Sequence, residues 1–240
     1  MSNIEYLKEK LKETSIELTE IQMKQFLTYY EMLVEKNKVM NLTAITEFEE
    51  VVEKHFIDSL MLVKAVDLKK ENYKLLDLGT GAGFPGIPLK IAYPNLEIVL
   101  VDSLNKRVKF LAEVIEALQL KNITAVHGRA EDLAKKKEYR EQFDYCVSRA
   151  VANLSTLSEY CVPFVKIGGN FISYKAGNLE EELENAKNPI KILGGKVENL
   201  IEFSLPGTEV SRSFVVVGKK KETAKKYPRN AGKPNKEPLK

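Results

Sequence analysis

Hydrophobic positions in the first 70 residues recur at helical spacing. Between residues 18 and 40, apolar side chains return mainly every three or four positions, the period of an amphipathic α-helix; they are Ile21, Phe26, Tyr29, Tyr30, Leu33 and Val34. Thr19 with Gln22, and Thr46 with Glu49, have the spacing of a capping box, which satisfies free backbone N–H groups at a helix start. The pattern predicts three or four helices before residue 70.

From Lys74 onward, short apolar runs alternate with amphipathic stretches. Seven runs have the length and composition of strands: residues 75–78, 98–101, 123–127, 143–148, 170–174, 197–203 and 213–217. Helix-like segments separate the first five, and the clearest of them begins near Ser103. Strands that alternate with helices form parallel βαβ units, so the pattern predicts an α/β, Rossmann-like fold.

The last two runs are connected differently from the others. Residues 204–212 are too few for a crossover helix of normal length, so these two runs should pair antiparallel. We therefore predict a seven-stranded, mostly parallel sheet with an antiparallel hairpin at one edge, preceded by N-terminal helices.

Charge is distributed unevenly along the 240 residues. The net charge is +3, but residues 219–240 hold nine Lys or Arg against two Glu, a balance of +7, which leaves −4 on the preceding 218 residues. Such basic segments are typical of contacts with polyanions, although a solvated arm without function has the same composition. We predict an N-terminal helical extension packed on the core (1–70), a Rossmann-like core (71–218) and a basic C-terminal tail (219–240). We expect the core to bind its ligand in the absence of the tail.

The chain has two cysteines, Cys146 and Cys161, and two histidines, His55 and His127, with none of the close spacings of a zinc site. Both cysteines lie in apolar surroundings, as unpaired buried thiols do in a reducing compartment. The first residues are polar, unlike an export signal, and no apolar run approaches the roughly 20 residues that cross a bilayer. We expect a cytoplasmic protein that binds neither metal nor membrane and acts as a monomer.

A glycine-rich loop follows the first predicted strand, at residues 79–86. Residues without a Cβ allow a ligand to lie against the backbone, and the pattern fits both a dinucleotide and a methyl donor. Pro85 and Pro88 remove N–H donors that a pyrophosphate needs. A carboxylate at Asp77 would repel a diphosphate but suits the sulfonium of S-adenosylmethionine. The residues favour S-adenosylmethionine as the cofactor, bound at Asp77, Gly79 and Gly81.

Two further acidic positions follow the next strands. Asp102 ends the second predicted strand, about 20 residues beyond the glycines, where a carboxylate can accept hydrogen bonds from both ribose hydroxyls. Ala130 and Glu131 follow the third strand and could contact the adenine. For both sites the alternative is an acidic residue that merely begins a helix.

The chain resembles the bacterial ribosomal RNA small-subunit methyltransferase G family, also called glucose-inhibited division protein B. The resemblance covers nearly the whole chain and rests on segments 41–45, 55–60, 77–88, 101–107, 128–131, 148–150, 226–229 and 232–234. It implies a class I S-adenosylmethionine-dependent methyltransferase fold and transfer of a methyl group to N7 of one guanine in the decoding-region loop of 16S rRNA. It also implies cofactor contacts at Gly79, Phe84, Ala130, Glu131 and Arg149.

Phe84 and Arg149 enter mainly through the resemblance. The Phe84 ring could cover the cofactor or simply pack in the core. Arg149 follows the fourth predicted strand, where its guanidinium could bind the cofactor carboxylate or an RNA phosphate, or form a surface ion pair.

Guanine N7 carries an unprotonated lone pair, so attack on a sulfonium methyl does not require prior removal of a proton by a base. We therefore predict catalysis by positioning and no dedicated catalytic residue, with Arg149 the one candidate. His127 is expected to have a structural or RNA-contact role. His55 and Asp58, at helical spacing, are expected to form a structural hydrogen bond. A methyltransferase of the same fold that acts on another RNA or a small molecule stays the alternative.

We expect the partner to be 16S rRNA or the 30S ribosomal particle. Positive side chains near the carboxyl edge of the sheet and in the tail are the RNA-binding candidates; they are Arg129, Lys175, Arg212, Lys225, Lys226 and Arg229, with Lys106, Arg107 and Tyr227 as further contacts.

Overall fold

The computed structural model describes residues 1–149 and 152–240. Its first helices are α1 (Asn3–Lys12) and α2 (Glu20–Met40). The Thr19–Gln22 capping box is confirmed, since the Thr19 side chain accepts from the Gln22 N–H and Gln22 bonds back. The Thr46–Glu49 box is wrong. Glu47 is the residue that caps the next helix, and no side chain bonds there.

That next helical stretch is continuous but changes its winding along the way. It comprises α3 (Phe48–Val51), a π-helical turn (Val52–Ile57), α4 (Asp58–Leu60) and a 3₁₀ turn (Met61–Lys64). π-Helical turns inside helices often occur at functional sites. This one contains Lys54 and His55 and leads directly into Asp58.

The seven predicted strands are confirmed: six differ by at most two residues at either end, whereas the fifth begins five residues earlier than predicted. They are β1 (Lys74–Leu78), β2 (Glu97–Asp102), β3 (Ile123–His127), β4 (Phe143–Ser148), β5 (Val165–Lys175), β6 (Gly195–Ser204) and β7 (Ser211–Lys219). The sheet order is β3-β2-β1-β4-β5-β7-β6. β1 to β5 pair in parallel, and β7 pairs antiparallel with both β5 and β6.

Helices cover both faces of this sheet. They are α5 (Gly86–Ala92), α6 (Asn105–Ala117), α7 (Ala130–Leu133), α8 (Leu154–Cys161), α9 (Glu180–Ile192) and α10 (Lys233–Lys236). The helix expected near Ser103 begins two residues later. Asp102 accepts a hydrogen bond from the Leu104 N–H at 2.8 Å, which keeps residues 103 and 104 out of the helix.

Two hydrophobic clusters hold the layers together. Successive strand residues face opposite sides of a sheet, so Leu75 packs with the N-terminal helices and α6, whereas Leu76 packs with α8 and α9. The first 70 residues therefore lie on one face of the core. Within residues 1–149 and 152–240, no helix has both the length and the hydrophobicity required to cross a bilayer.

Residues 219–240 pack against the core, contrary to the picture of a detached basic tail. Tyr227 is buried in the cluster that contains α8 and α9. Arg140 donates to the backbone oxygens of Thr223 and Tyr227 at 2.6 and 3.0 Å. Lys219 is buried and binds Glu141 at 2.9 Å. The basic composition did not predict these contacts. The aliphatic part of a Lys or Arg side chain can be buried when its charged group has a polar partner.

Candidate active site

A cavity of about 420 Å³ opens at the carboxyl ends of β1 to β4. The sheet order reverses between β1 and β4, and open α/β sheets bind ligands at such switch points. Its walls include the glycine loop, the end of β2 and the start of α7. We call this space the glycine-loop cavity.

Gly79 and Gly81 form the part of the loop nearest the sheet. Both have left-handed backbone conformations, with φ of 72° and 62°, which side-chain-bearing residues rarely adopt. A Cβ added to Gly79 would meet no atom within 4 Å, so open space lies directly beside its backbone. A ligand can therefore approach the main chain at this point.

Asp77 has a different role from the predicted contact with a cationic ligand. Its side chain is fully buried, and Oδ2 accepts from the Thr80 hydroxyl at 2.6 Å and the Gly86 N–H at 2.8 Å. Burial raises the pKa of Asp77 to about 6. Asp77 lies beneath the loop and fixes its shape, and it does not line the cavity.

Asp102 lines the cavity and also supports its walls. Oδ2 accepts from the Gly81 N–H at 3.0 Å, and Oδ1 accepts from the Leu104 N–H at 2.8 Å. Arg107 lies 3.4 Å from Oδ2. Both interpretations of this acid hold in part, because one carboxylate serves the helix start and faces the ligand space.

Ala130 and Glu131 begin α7 and border the same cavity. Glu131 is buried, and its Oε1 accepts from the Gly232 N–H at 2.8 Å. Gly232 and Asn235 also line the cavity, although both belong to the segment expected to bind RNA. Sequence reasoning did not predict either residue as part of the ligand site. The only signal in this stretch was the family motif at residues 232–234, which does not say what the residues contact.

The Phe84 side chain is buried in the core and does not line the glycine-loop cavity, so its contact with the cofactor stays a prediction. Its ring packs on His55 and Tyr29, with centroids 4.5 and 5.5 Å away, and the Arg149 guanidinium lies 5.0 Å from its centre. The aromatic rings of the N-terminal helices thus bury the side chain that the loop presents to them.

Arg149 is also outside the glycine-loop cavity. One guanidinium nitrogen donates to Asp58 Oδ2 at 2.9 Å and to the Lys54 carbonyl at 3.0 Å. The other lies 3.2 Å from His55 Nδ1, which is also 3.0 Å from the Lys54 carbonyl oxygen. His55 Nε2 lies 2.8 Å from the Thr43 hydroxyl. Burial and the adjacent guanidinium lower the pKa of His55 to about 4, so the ring is neutral at pH 7.

Arg149 faces a second cavity, of about 640 Å³, which we call the basic cavity. Asp58 is buried at its base, and Oδ1 accepts from Arg212 Nε at 3.0 Å while Oδ2 accepts from Arg149. Lys54 and Lys175 complete its positive lining. A hydrogen bond was expected between His55 and Asp58; instead, both side chains contact the Arg149 guanidinium.

Comparison of the sequence with known protein families identifies the family of this chain. Residues 22–213 match the sequence model of the family described as rRNA small subunit methyltransferase G. The chain belongs to this family. The Ribosomal RNA small subunit methyltransferase G of Lachnoclostridium phytofermentans is 56% identical over 229 residues, covering 95% of this chain and 94% of that protein. The protein of the same name from Clostridium perfringens strain SM101 is 48% identical over the full length of both.

Solved structures at low sequence identity share the fold of this family member. M. jannaschii TYW2, in complex with AdoMet, superposes with a TM-score of 0.52 at 17% identity, covering 67% of this chain and 74% of that one. Precorrin-6y C5,15-methyltransferase from Geobacter metallireducens gives 0.50 at 15% identity, covering 67% and 87%. The predicted Rossmann-like methyltransferase fold is confirmed.

The predicted RNA-binding side chains fall into different places in this family member. Arg129 is exposed at the rim of the glycine-loop cavity, and Lys175 and Arg212 line the basic cavity. Lys106, Lys225 and Lys226 are exposed, whereas Arg107 lies beside Asp102.

Arg229 and Tyr227 are engaged within the protein. Arg229 forms a two-point ion pair with the fully buried Glu159, with distances of 2.9 and 2.6 Å. Tyr227 is buried. The Nε2 of exposed His127 lies 3.1 Å from the Ser103 carbonyl. RNA contacts of these residues stay predictions.

Proposed function

We propose that this chain transfers the methyl group of S-adenosylmethionine to N7 of a guanine in 16S rRNA. The observation that carries the proposal is the adjacency of the two cavities. Ser148 lines the glycine-loop cavity and Arg149, the next residue, lines the basic cavity; Ala152 and Asn153 divide in the same way. A donor in the first cavity and a nucleotide in the second would meet beside the segment that follows β4.

The glycine-loop cavity fits the donor in size and in chemistry. Its volume lies within the roughly 300–1,000 Å³ of small-molecule sites. The open space beside Gly79 admits a ligand to the backbone. A carboxylate has about four acceptor positions, so Asp102 can accept from ribose hydroxyls. Ala130 and Glu131 line the same cavity, and we assign them the contact with the adenine. The donor supplies an electrophilic methyl group on a sulfonium.

The chain's own residues act by positioning the reactants. Guanine N7 has a free lone pair and needs no base. The His55 ring, which lines the basic cavity, is held by contacts with Arg149, the Lys54 carbonyl and the Thr43 hydroxyl. Asp58 and His55 fix the Arg149 guanidinium from opposite nitrogens. Correct placement of two reactants is by itself a large catalytic effect.

The basic cavity suits the phosphates that flank a target nucleotide. Lys54, Arg149, Lys175 and Arg212 outnumber the two acids, Asp58 and Glu182, that line it with them. Such an excess of positive charge attracts the RNA backbone, and exposed Arg129, Lys225 and Lys226 extend it.

We take the 30S particle as the substrate and the cytoplasmic monomer as the active form. A base inside folded RNA must be presented or turned out before it reaches the donor, and a particle can hold it in that state. A methyltransferase for a small molecule would share the donor site but would not need the basic cavity, whereas one for another RNA would need both.

The test uses S-adenosylmethionine with a tritiated methyl group. We expect about one methyl group per 30S particle from a strain that lacks this enzyme, none with particles from the parent strain, and less with naked 16S rRNA. Mass mapping should find 7-methylguanine. Label in another RNA or in small metabolites, with none in 16S rRNA, would overturn the proposed substrate.

A further inference from the structure

The C-terminal segment, residues 227–240, forms one side of the glycine-loop cavity. Gly232 and Asn235 line this cavity beside Glu131. The Gly232 N–H donates to Glu131 Oε1 at 2.8 Å, across 101 positions of sequence. A backbone group from the end of the chain therefore fixes the orientation of an acid in the candidate cofactor site.

Anchors on both sides of Gly232 keep the segment in place. Before it, the guanidinium and the backbone N–H of Arg229 bind the buried carboxylate of Glu159 in α8. After it, Thr156 donates to the Pro234 carbonyl at 3.2 Å and Ser155 to the Leu239 carbonyl at 2.6 Å. An arginine paired with a fully buried carboxylate is difficult to separate, because the carboxylate would remain buried without a partner.

The conformation of Gly232 brings Asn235 to the cavity. Its φ is 80°, in the left-handed region that favours glycine, and the chain turns there into the short helix α10. Asn235 lies on that helix and is exposed toward the cavity. Its side-chain amide offers both a donor and an acceptor, the combination that matches the N6 and N7 groups of adenine.

We propose that residues 227–240 are part of the methyl-donor site, with Gly232 orienting Glu131 and Asn235 contacting the adenine. The inference rests on the proposed function. It reverses the expectation that residues 219–240 serve RNA alone and leave ligand binding to the core. The affinity of the protein for the methyl donor, measured without RNA, should then depend on the C-terminal segment.

The test measures binding of S-adenosylmethionine and S-adenosylhomocysteine to the full chain by calorimetry, without RNA. We expect Asn235→Ala to weaken both by about three- to tenfold, the loss of one hydrogen bond. The matched control is Lys236→Ala, an exposed neighbour on the same short helix that does not line the cavity. It should bind as the unaltered protein does.

A second measurement separates contact with the adenine from a general effect on shape. S-inosylhomocysteine lacks the 6-amino group, so the unaltered protein should prefer the adenosyl compound and Asn235→Ala should lose most of that preference. Removal of residues 231–240 keeps the Arg229–Glu159 pair and should weaken donor binding about tenfold or more.

The outcomes distinguish the two proposals. Unchanged donor affinity in Asn235→Ala, or an equal loss in Lys236→Ala, would overturn the role of the C-terminal segment while leaving the proposed function intact. Failure of the unaltered protein to bind either compound would overturn the proposed function itself. If the shortened chain does not fold, as judged by circular dichroism, the point variants decide.

Discussion

Asp58 is a buried carboxylate with an arginine on each of its oxygens. Arg149 follows β4 and Arg212 lies on β7, so a single side chain on α4 links three separate parts of the chain. The arginine side chains are 19% and 21% exposed, whereas that of Asp58 is 3% exposed. Loss of the central charge would leave two close guanidiniums without a counter-ion.

We predict that Asp58→Asn lowers the free energy of unfolding by roughly 2–4 kcal/mol, slightly below the range for a fully buried pair because both arginines reach solvent. Urea unfolding checks this. Glu35→Gln is the control, since Glu35 is 75% exposed and binds Lys38 on the surface of α2, where an ion pair contributes less than about 1 kcal/mol. Equal midpoints for Asp58→Asn and the unaltered protein would refute the prediction.

His55 makes stability depend on pH. Its pKa is about 4 in the folded chain, below the ordinary histidine value of 6.5 that applies once the chain unfolds, so the unfolded chain binds more protons between these values. The contribution of His55 to the free energy of unfolding is therefore complete above pH 6.5 and falls as pH decreases toward 4. Burial and the adjacent Arg149 cause this shift.

Replacement of His55 by Gln should remove this contribution, so the difference in stability between the two proteins should change by at most about 1.4 kcal/mol per pH unit between pH 4 and 6.5. Asp77, whose pKa is raised from 3.8 to about 6, acts in the opposite direction between those values but is present in both proteins, so its effect cancels. Urea titrations at several pH values provide the measurement. If the stability profiles of the two proteins run parallel, His55 binds protons equally in the folded and unfolded states, and the prediction is wrong.

Among the elements, the loop between β1 and α5 joins fold and site most directly. Asp77 holds it from below through Thr80 and Gly86, and Asp102 holds it from the side through Gly81. A Cβ on Gly86 would come within 2.2 Å of Leu100 and 2.9 Å of Asp77, so this glycine serves packing. Gly79 differs, since open space lies beside it.

We predict that Gly79→Ala and Gly177→Ala lose similar stability, about 1–2 kcal/mol, because both positions are left-handed and neither Cβ meets an atom within 4 Å. Donor affinity should fall about tenfold or more only in Gly79→Ala, since its methyl group would occupy ligand space. Calorimetry and thermal unfolding measure the two effects. Equal donor affinity in the two variants would place the ligand elsewhere.

In the whole molecule, the two cavities share sequence neighbours among their lining residues, Ser148 with Arg149 and Ala152 with Asn153, and also draw on distant parts of the chain. The glycine-loop cavity uses the first four strands and the C-terminal segment, whereas the basic cavity uses the π-helical turn, β5 and β7. Their separate linings predict that donor binding and RNA binding can be weakened independently.

Lys54→Ala should raise the KM for 30S particles about three- to tenfold and leave donor affinity unchanged, because Lys54 lines only the basic cavity. The slope of log affinity against log salt should fall by about 0.7–0.9, the value for one phosphate contact. Lys187→Ala, an exposed lysine on α9, is the control and should change neither. An unaltered salt slope in Lys54→Ala would exclude Lys54 from the RNA surface.

The amino-acid sequence by itself determined the elements and their order. The seven strands, the antiparallel hairpin and the glycine loop follow from local period and turn residues, which depend on neighbours a few positions apart. The family also followed from short motifs. The helix boundary at Glu47 did not, because competing caps lie within one or two residues of each other.

Tertiary structure alone decided which side chains line the two cavities. Arg149, Phe84 and Asp77 all come from recognisable motifs, yet Asp58, His55 and the loop itself engage them. Gly232 reaches Glu131 across 101 residues, a contact that no local pattern encodes. The composition of a segment gives its net charge but not the partners of its charged side chains. Arg229 pairs with Glu159 because the fold buries that carboxylate beside it.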